Sequence, residues 1–242
     1  MGGVAAGIDG EISSSSRVGV ALVYSKTTID SNSNHQNVKM DGYQLVGYGT
    51  QSLNANTDLG WQADYGSNKN KGNRNLQSVG LNSASADYSS TSIHLGANVE
   101  HSMAMGAGTM LTPTVKADYT KLSENAYTDS TGSMTNSRKT NEFIIGVAGK
   151  VSHALSDSTK LIGNLGVDYN TNAKQSSINT TLPGGSASFT AQGVNPSKTT
   201  IVGGVGVLIN TSKATEVTAR YDIASRSGYN AQTVSVKVKM PF

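Results

Sequence analysis

A chain of 242 residues could form one large β domain or two smaller domains, yet only 36% of its residues are hydrophobic, with three Phe and one Trp. A soluble core with so few large apolar side chains would barely offset the conformational entropy lost on folding. The absence of cysteine excludes disulfides and thiolate metal sites, and a net charge of +3 from basic residues that are not clustered gives no support for nucleic acid as a partner.

Segments in which apolar and polar residues alternate recur along the whole chain, a pattern typical of β-strands with one apolar face. After an opening segment at 2–12, five segments carry an apolar face that ends in a tyrosine, and these tyrosines are Tyr24, Tyr65, Tyr119, Tyr169 and Tyr221. Return segments lie near 43–49, 92–101, 143–153, 200–210 and 233–242. The sequence therefore predicts about eleven visible antiparallel strands.

The links between these strands alternate in length. Short links follow the odd-numbered strands, at 13–16, 52–58, 105–108, 154–159 and 210–214, whereas long polar tracts such as 66–90, 123–141 and 170–198 follow even-numbered ones. Because alternate links of a meander lie at opposite ends, one end should carry only tight turns and the other only long loops. Outer-membrane barrels have short periplasmic turns and long extracellular loops. We therefore predict an all-β fold, an antiparallel transmembrane meander β-barrel.

In such a barrel the five tyrosines would all lie at the extracellular end of an ascending strand. Amphipathic rings at that height form an aromatic girdle at the boundary between lipid and water. The alternation turns the intervening polar side chains inward, including the Asp that precedes three of the tyrosines. A lumen filled by water or by another polypeptide tolerates charges of both signs, whereas the lipid face does not.

Soluble sandwiches and lipocalin-like barrels are also built from alternating strands. In those folds large apolar residues face a packed core, whereas the apolar face here consists mainly of Val, Leu, Ile, Ala and Gly, with no second apolar set to pack against it. The pattern therefore favours outer-membrane lipid as the partner of the apolar face.

No catalytic pattern stands out in the sequence. His35 falls in a loop tip, His94 should face the lumen, and His101 and His153 fall at the turn end of their strands. Nucleophile elbows, phosphate-binding loops and metal-spaced His pairs are absent from the sequence. We therefore expect that the chain is not an enzyme and that it uses no cofactor or metal.

The two ends of the chain resemble a known family. The C-terminal TVSVKVKMPF resembles the closing strand that outer-membrane barrels present to their insertion machinery, with one face formed by Val234, Val236, Val238, Met240 and Phe242. The opening GGVAAGIDGEISSSSRVGVALVYSKTTID resembles the second and third strands of the C-terminal translocator domain of type V secretion autotransporters. The resemblance covers nearly the whole chain and implies a single domain at 1–242.

That resemblance implies a function and partners. The chain would be a translocator in the outer membrane of a Gram-negative bacterium that anchors, and helps export, an N-terminal passenger. Its partners would be the barrel-assembly machinery and its own passenger or linker helix in the pore. The residues in contact with that polypeptide would be Glu100, Lys116, Asp118, Arg220 and Asp222. An alternative interpretation is that these charges pair with one another and only support the wall.

The chain also departs from the family pattern. The family's barrel has twelve strands, and its first strand has no counterpart before Gly2. We expect that the chain begins after that strand, with linker helix and passenger absent, or else that a strand is hidden within 76–92. Two other functions stay open, a free-standing porin or adhesin-type barrel and a barrel-embedded enzyme.

Overall fold

The computed structural model describes residues 1–31, 36–75, 83–184, 188–211 and 215–240, and within them the chain forms β-strands joined by turns and irregular links. The strands are β1 (Gly2–Ser13), β2 (Ser16–Ser31), β3 (Gln36–Asn54), β4 (Thr57–Arg74), β5 (Ala84–His101), β6 (Met103–Gly106), β7 (Thr109–Glu124), β8 (Tyr127–Thr128), β9 (Met134–Thr135), β10 (Arg138–Ala154), β11 (Thr159–Asn170), β12 (Ser177–Thr181), β13 (Ser188–Gln192), β14 (Thr199–Asn210), β15 (Glu216–Arg226) and β16 (Tyr229–Lys239). No helix in these ranges is long and apolar enough to cross a membrane.

Eleven long strands form one antiparallel sheet in chain order, β1-β2-β3-β4-β5-β7-β10-β11-β14-β15-β16, with the short β6 paired to β7. This confirms the predicted meander and its strand number. The sheet curls back on itself and brings its last strand close to its first. Lys239 Nζ in β16 lies 3.4 Å from Asp9 Oδ1 in β1. Among the described residues, β1 and β16 share no hydrogen-bond ladder.

The sheet places its apolar side chains on the outside. Leu22, Leu165 and Val205 on the outer face are 60–67% exposed, and Val46 and Ala84 are the buried hydrophobic residues of the described ranges. Carboxylates such as Asp9, Asp64 and Asp168 occupy the inner face, where their partners are Arg17, His94 and Lys116 respectively. A soluble β fold would bury its apolar face instead, so this arrangement fits a barrel that lipid surrounds.

The strands run well past the tyrosines, and the prediction of a long loop over 66–90 was wrong. β4 continues to Arg74 and β5 starts at Ala84, so most of that tract is paired strand. Polar residues are suited to such an extension, because amides of Asn68 and Asn70 lie within hydrogen-bond distance of Ser90 Oγ on the inner side. The tract shows no apolar alternation because the outward residues of β4 beyond Tyr65, such as Lys69 and Lys71, are polar.

The other two long tracts also contain strands. Segments of 123–141 and 170–198 pair with each other as a second, four-stranded sheet in the order β13-β12-β9-β8. The predicted rule that only long loops occupy this end fails at the link between β15 and β16. That link is a two-residue turn, Ser227 and Gly228, in which Gly228 adopts a φ of 74°. Glycine suits this position because it adopts positive φ without a Cβ clash.

Candidate functional site

The inner face of the long sheet carries a chain of polar contacts that begins at Asp64 in β4. Its carboxylate accepts hydrogen bonds from Gln44 Nε2 at 2.6 Å and Gln62 Nε2 at 2.9 Å, and His94 Nδ1 lies 2.7 Å from Asp64 Oδ2. The other ring nitrogen of His94 lies 3.3 Å from Asp118 Oδ1. The Asp64 side chain is only 2% exposed, so these donors replace the water that the carboxylate loses.

The contacts continue through Lys116 in β7. Its Nζ lies 2.9 Å from Asp168 Oδ2 in β11 and 3.6 Å from Asp118 Oδ2 in its own strand. The lysine reaches Asp168 across Gly146 of β10, which is the register partner of both residues. A Cβ at Gly146 would lie 2.7 Å from Lys116 Cε and would also strike the Asp168 carboxylate. The glycine therefore allows the ion pair to lie flat against the wall.

Two further ion-paired groups line the same face. Arg220 Nη2 donates to Asp222 Oδ1 at 2.6 Å and to Asn164 Oδ1 at 2.5 Å, over Gly204 of β14. Glu100 pairs with Lys150 and accepts a hydrogen bond of 2.7 Å from Asn98 Nδ2. All five residues that were predicted for the lumen, Glu100, Lys116, Asp118, Arg220 and Asp222, therefore face inward and have charged partners on the wall.

These side chains leave space in the bore. A cavity of about 510 Å³ is bordered by Gln62, His94, Lys116, Asp118, Asp168 and residues of the neighbouring strands. Both charge signs are present around it, and they neutralise one another within pairs.

A further ion-paired group lies at the edge of the sheet, where the alternation of the sequence predicts that Glu11 and Arg17 face inward. Arg17 Nη1 lies 2.5 Å from Asp9 Oδ1, and its Nη2 lies 2.9 Å from Glu11 Oε1. The hydroxyl of Tyr48 donates to Asp9 at 3.4 Å across Gly19. The alternation in the opening segment indicates that Asp9 faces inward. The contact between Tyr48 and Asp9, however, depends on the register of the strands.

The five girdle tyrosines, Tyr24, Tyr65, Tyr119, Tyr169 and Tyr221, all lie on the outer face, where their register partners include exposed apolar side chains. Tyr24 packs against Tyr43, which the sequence reading did not include, with ring centroids 5.2 Å apart. Tyr65 lies two residues before Ser67, the partner of Tyr43. This stagger is expected for tilted strands whose tyrosines stay at one height.

The last strand presents apolar side chains to the outside. Val234, Val236, Val238 and Met240 are 79%, 68%, 54% and 64% exposed. The three valines pair with Tyr221, Ala219 and Val217 of β15, so they share its outer face. Phe242, the last residue of the predicted insertion signal, and His35 lie outside the described residues.

The small sheet packs against the ends of β4 and β5 that lie beyond the girdle positions. The ring of Tyr127 in β8 stacks on Tyr88 in β5 at 4.5 Å, and burial raises the pKa of Tyr88. Arg74 Nη2 lies 3.4 Å from Asp129 Oδ2, and Ser130 N donates to Ser85 O at 2.8 Å. A cavity of about 330 Å³ lies beneath, bordered by inward residues of β3–β5, β7 and β10 and by Ile178 and Phe189 of the small sheet.

Among the described ranges, no group of three or more His, Asp or Glu side chains is arranged to hold a metal ion.

The family model of the autotransporter β-domain matches residues 1–222. The chain is similar to the translocator domain of NalP from Neisseria meningitidis, with 21% identity and a TM-score of 0.82 over 98% of this chain and 79% of that one. It is also similar to the transport unit of AIDA-I from Escherichia coli, with 13% identity and a TM-score of 0.71 over 99% and 81% of the two chains.

A further similar structure is the β domain of the Bordetella autotransporter BrkA, with 11% identity and a TM-score of 0.56 over 92% of this chain and 89% of that one. None of the curated proteins compared matches the chain significantly. The family match covers most of the chain, and the structural similarities extend over almost all of it. The chain therefore belongs to the autotransporter β-domain family and is an outer-membrane translocator barrel of a Gram-negative bacterium.

Proposed function

We propose that this barrel anchors in the outer membrane and exports an N-terminal passenger through its bore, with the passenger in contact with Glu100, Lys116, Asp118, Arg220 and Asp222. The observation that carries the proposal is the orientation of these ion-paired side chains against the wall of the bore. Ion pairs fold flat over inward glycines such as Gly146 and Gly204, so the charges line the bore without filling it.

The wall is suited to transient contact with an extended polypeptide. Its carboxylates and ammonium groups already have partners, so a passing peptide exchanges weak polar contacts and is not held by unpaired charge. The same pairing supports a second proposal, that the barrel itself carries no enzymatic activity. Three of the inward carboxylates, Asp64, Asp168 and Asp222, are held by amide, lysine and arginine donors respectively.

We further propose that Val234, Val236, Val238, Met240 and Phe242 form the insertion signal that the barrel-assembly machinery reads. The exposed valines on the outer face of the edge strand β16 support this, because an unpaired strand edge is a template for another strand. The girdle tyrosines would then fix the height of the inserted barrel in the lipid.

A twelfth strand, we propose, closes the barrel between β1 and β16. The unpaired edges of these two strands in the described residues support this proposal. Lys239 reaches Asp9 on the lumen side through the long lysine side chain, which suits strands that are not direct neighbours.

The export proposal can be tested by site-specific photocrosslinking. A barrel with a tagged passenger and linker in front of it is expressed in a Gram-negative host, and a photoreactive residue replaces either Lys116 or Val115. These neighbours face opposite sides of the wall. We expect the exported passenger to crosslink from position 116 and not from position 115. A tag that reaches the surface without a crosslink from position 116 would show that export follows another route.

A further inference from the structure

A group of lysines lies on the outer face of the barrel, beyond the girdle tyrosines. Lys39 of β3 and Lys71 of β4 are direct cross-strand partners, and Lys69 lies two residues before Lys71 on the same face. All three side chains are exposed. Like charges directly opposite each other destabilise a sheet, so the pair needs a compensating anion. We call Lys39, Lys69 and Lys71 the lysine patch.

The protein itself compensates this charge only in part. Lys26 lies 3.7 Å from Asp41 Oδ1, and Asp41 also accepts a hydrogen bond from Tyr24. Asp41 is also the register partner of Lys69, and Asp87 is the register partner of Lys71 on the other side. Within the part of the chain that the structure describes, no carboxylate approaches the three patch lysines to within 4.0 Å. The patch therefore keeps ammonium groups available for an external anion.

An apolar groove lies directly below the patch, on the lipid side. It has a volume of about 460 Å³, and the outward side chains that border it include Val4, Leu22, Leu45, Tyr24, Tyr43 and Tyr65. Lys69 lies four residues beyond Tyr65 on the same strand, about 13 Å along its axis. The groove faces hydrocarbon and the patch faces the headgroup layer, as an amphipathic ligand requires.

We propose that this face binds a phosphorylated glycolipid of the outer leaflet, the lipopolysaccharide of the membrane in which the barrel sits. One acyl chain fills the groove beside Tyr43, and a sugar-linked phosphate lies against Lys39, Lys69 and Lys71. The height of the patch favours this lipid over a glycerophospholipid. A glycerophospholipid carries its phosphate close to the hydrocarbon boundary, whereas a glycolipid extends its charged sugars further outward. The proposal does not depend on passenger export.

Native mass spectrometry of the folded barrel in a neutral detergent tests this proposal directly. The probes are deep-rough lipopolysaccharide, the same lipid after enzymatic removal of its phosphates, and phosphatidylglycerol. The test variant is Lys39→Gln with Lys71→Gln, and the matched control is Lys174→Gln with Lys198→Gln, which removes two exposed lysines from an extracellular tract. Heat modifiability on gels confirms that each variant is folded.

We expect the wild type and the control to bind lipopolysaccharide equally, and the Lys39/Lys71 variant to bind it roughly tenfold or more weakly. Phosphate removal should weaken binding to the wild type to a similar extent. Equal binding by the two variants would overturn the proposal. Equal binding of phosphatidylglycerol and lipopolysaccharide to the wild type would also overturn it, because the patch would then be a general anionic surface.

Discussion

His94 Nδ1 lies 2.7 Å from an oxygen of Asp64, a carboxylate that is only 2% exposed in the inner wall. The two residues belong to neighbouring strands and are direct register partners. His94 also reaches Asp118 at 3.3 Å, so one ring connects three consecutive strands of the long sheet. The imidazole thus joins the amide donors of Asp64 to the ion pairs around Lys116.

Replacement of His94 by alanine should destabilise the folded barrel. Asp64 would stay buried with one donor fewer, which costs about 1–3 kcal/mol of unfolding free energy. His94→Gln keeps a donor and should lose less. The measurement is urea unfolding in lipid vesicles, followed by the fluorescence of the single Trp, Trp61. His101→Ala, at an exposed turn end, is the control, and an equal loss in both alanine variants would contradict the importance of the Asp64 contact.

Gly146→Val should disturb the ion pair between Lys116 and Asp168. The new side chain would occupy the space where both groups lie against the wall, so we expect a loss of about 1–3 kcal/mol. The displaced charges should also narrow the bore and lower the ion conductance in a planar bilayer. Gly47→Val is the control, because a Cβ there would meet nothing nearer than Ala63 O at 3.8 Å. Unchanged conductance in both variants would mean that Gly146 does not keep the bore open.

A charged side chain should destabilise the barrel more on the outer face than on the inner face. Val115 is 60% exposed, and its register partners Val99 and Val147 are apolar. Val115→Arg should cost about 2–4 kcal/mol in lipid vesicles if position 115 lies near the bilayer midplane. Gln62→Arg, in the lumen, keeps a donor for Asp64 and should cost much less. Similar unfolding free energies for the two arginine variants would contradict the assignment of lipid to the outer face.

The two edge strands should stay separated by about two strand spacings. The chain contains no cysteine, so Ile8→Cys with Val238→Cys introduces a single thiol pair on the outer faces of β1 and β16. We expect no disulfide on mild oxidation of the folded protein but efficient linkage by a reagent that spans about 10 Å.

The control for this experiment is the pair Val217→Cys and Val238→Cys, which are register partners in β15 and β16 and should oxidise readily. If the Ile8/Val238 pair formed a disulfide as quickly as the control pair, β1 and β16 would be direct neighbours, and the proposal of a strand between them would fail.

The extracellular ends of the strands were predicted wrongly from the sequence. Recognition of a strand from sequence relies on apolar alternation, and that signal stops at Tyr65 because the outward residues of β4 beyond it are polar. Beyond Tyr65, β4 has no apolar face up to Arg74. This part of the strand is defined by its pairing with β5, which the sequence of β4 does not reveal. The small sheet was also missed, since β8 and β9 have only two residues each. β8 pairs with β9, and β9 depends on the distant β12 for its other partner.

The sequence by itself determined which side chains face inward. A strand turns successive residues to opposite faces, so the Asp before Tyr65, Tyr119 and Tyr169 had to enter the lumen once these tyrosines faced lipid. Only the tertiary structure decided which charges meet. Lys116 and Asp168 are 52 residues apart in the chain, and they touch because the register of three strands places Gly146 between them. Lys39 and Lys71 likewise face each other only through the pairing of β3 with β4, because register is a relation between strands that neither strand's own sequence contains.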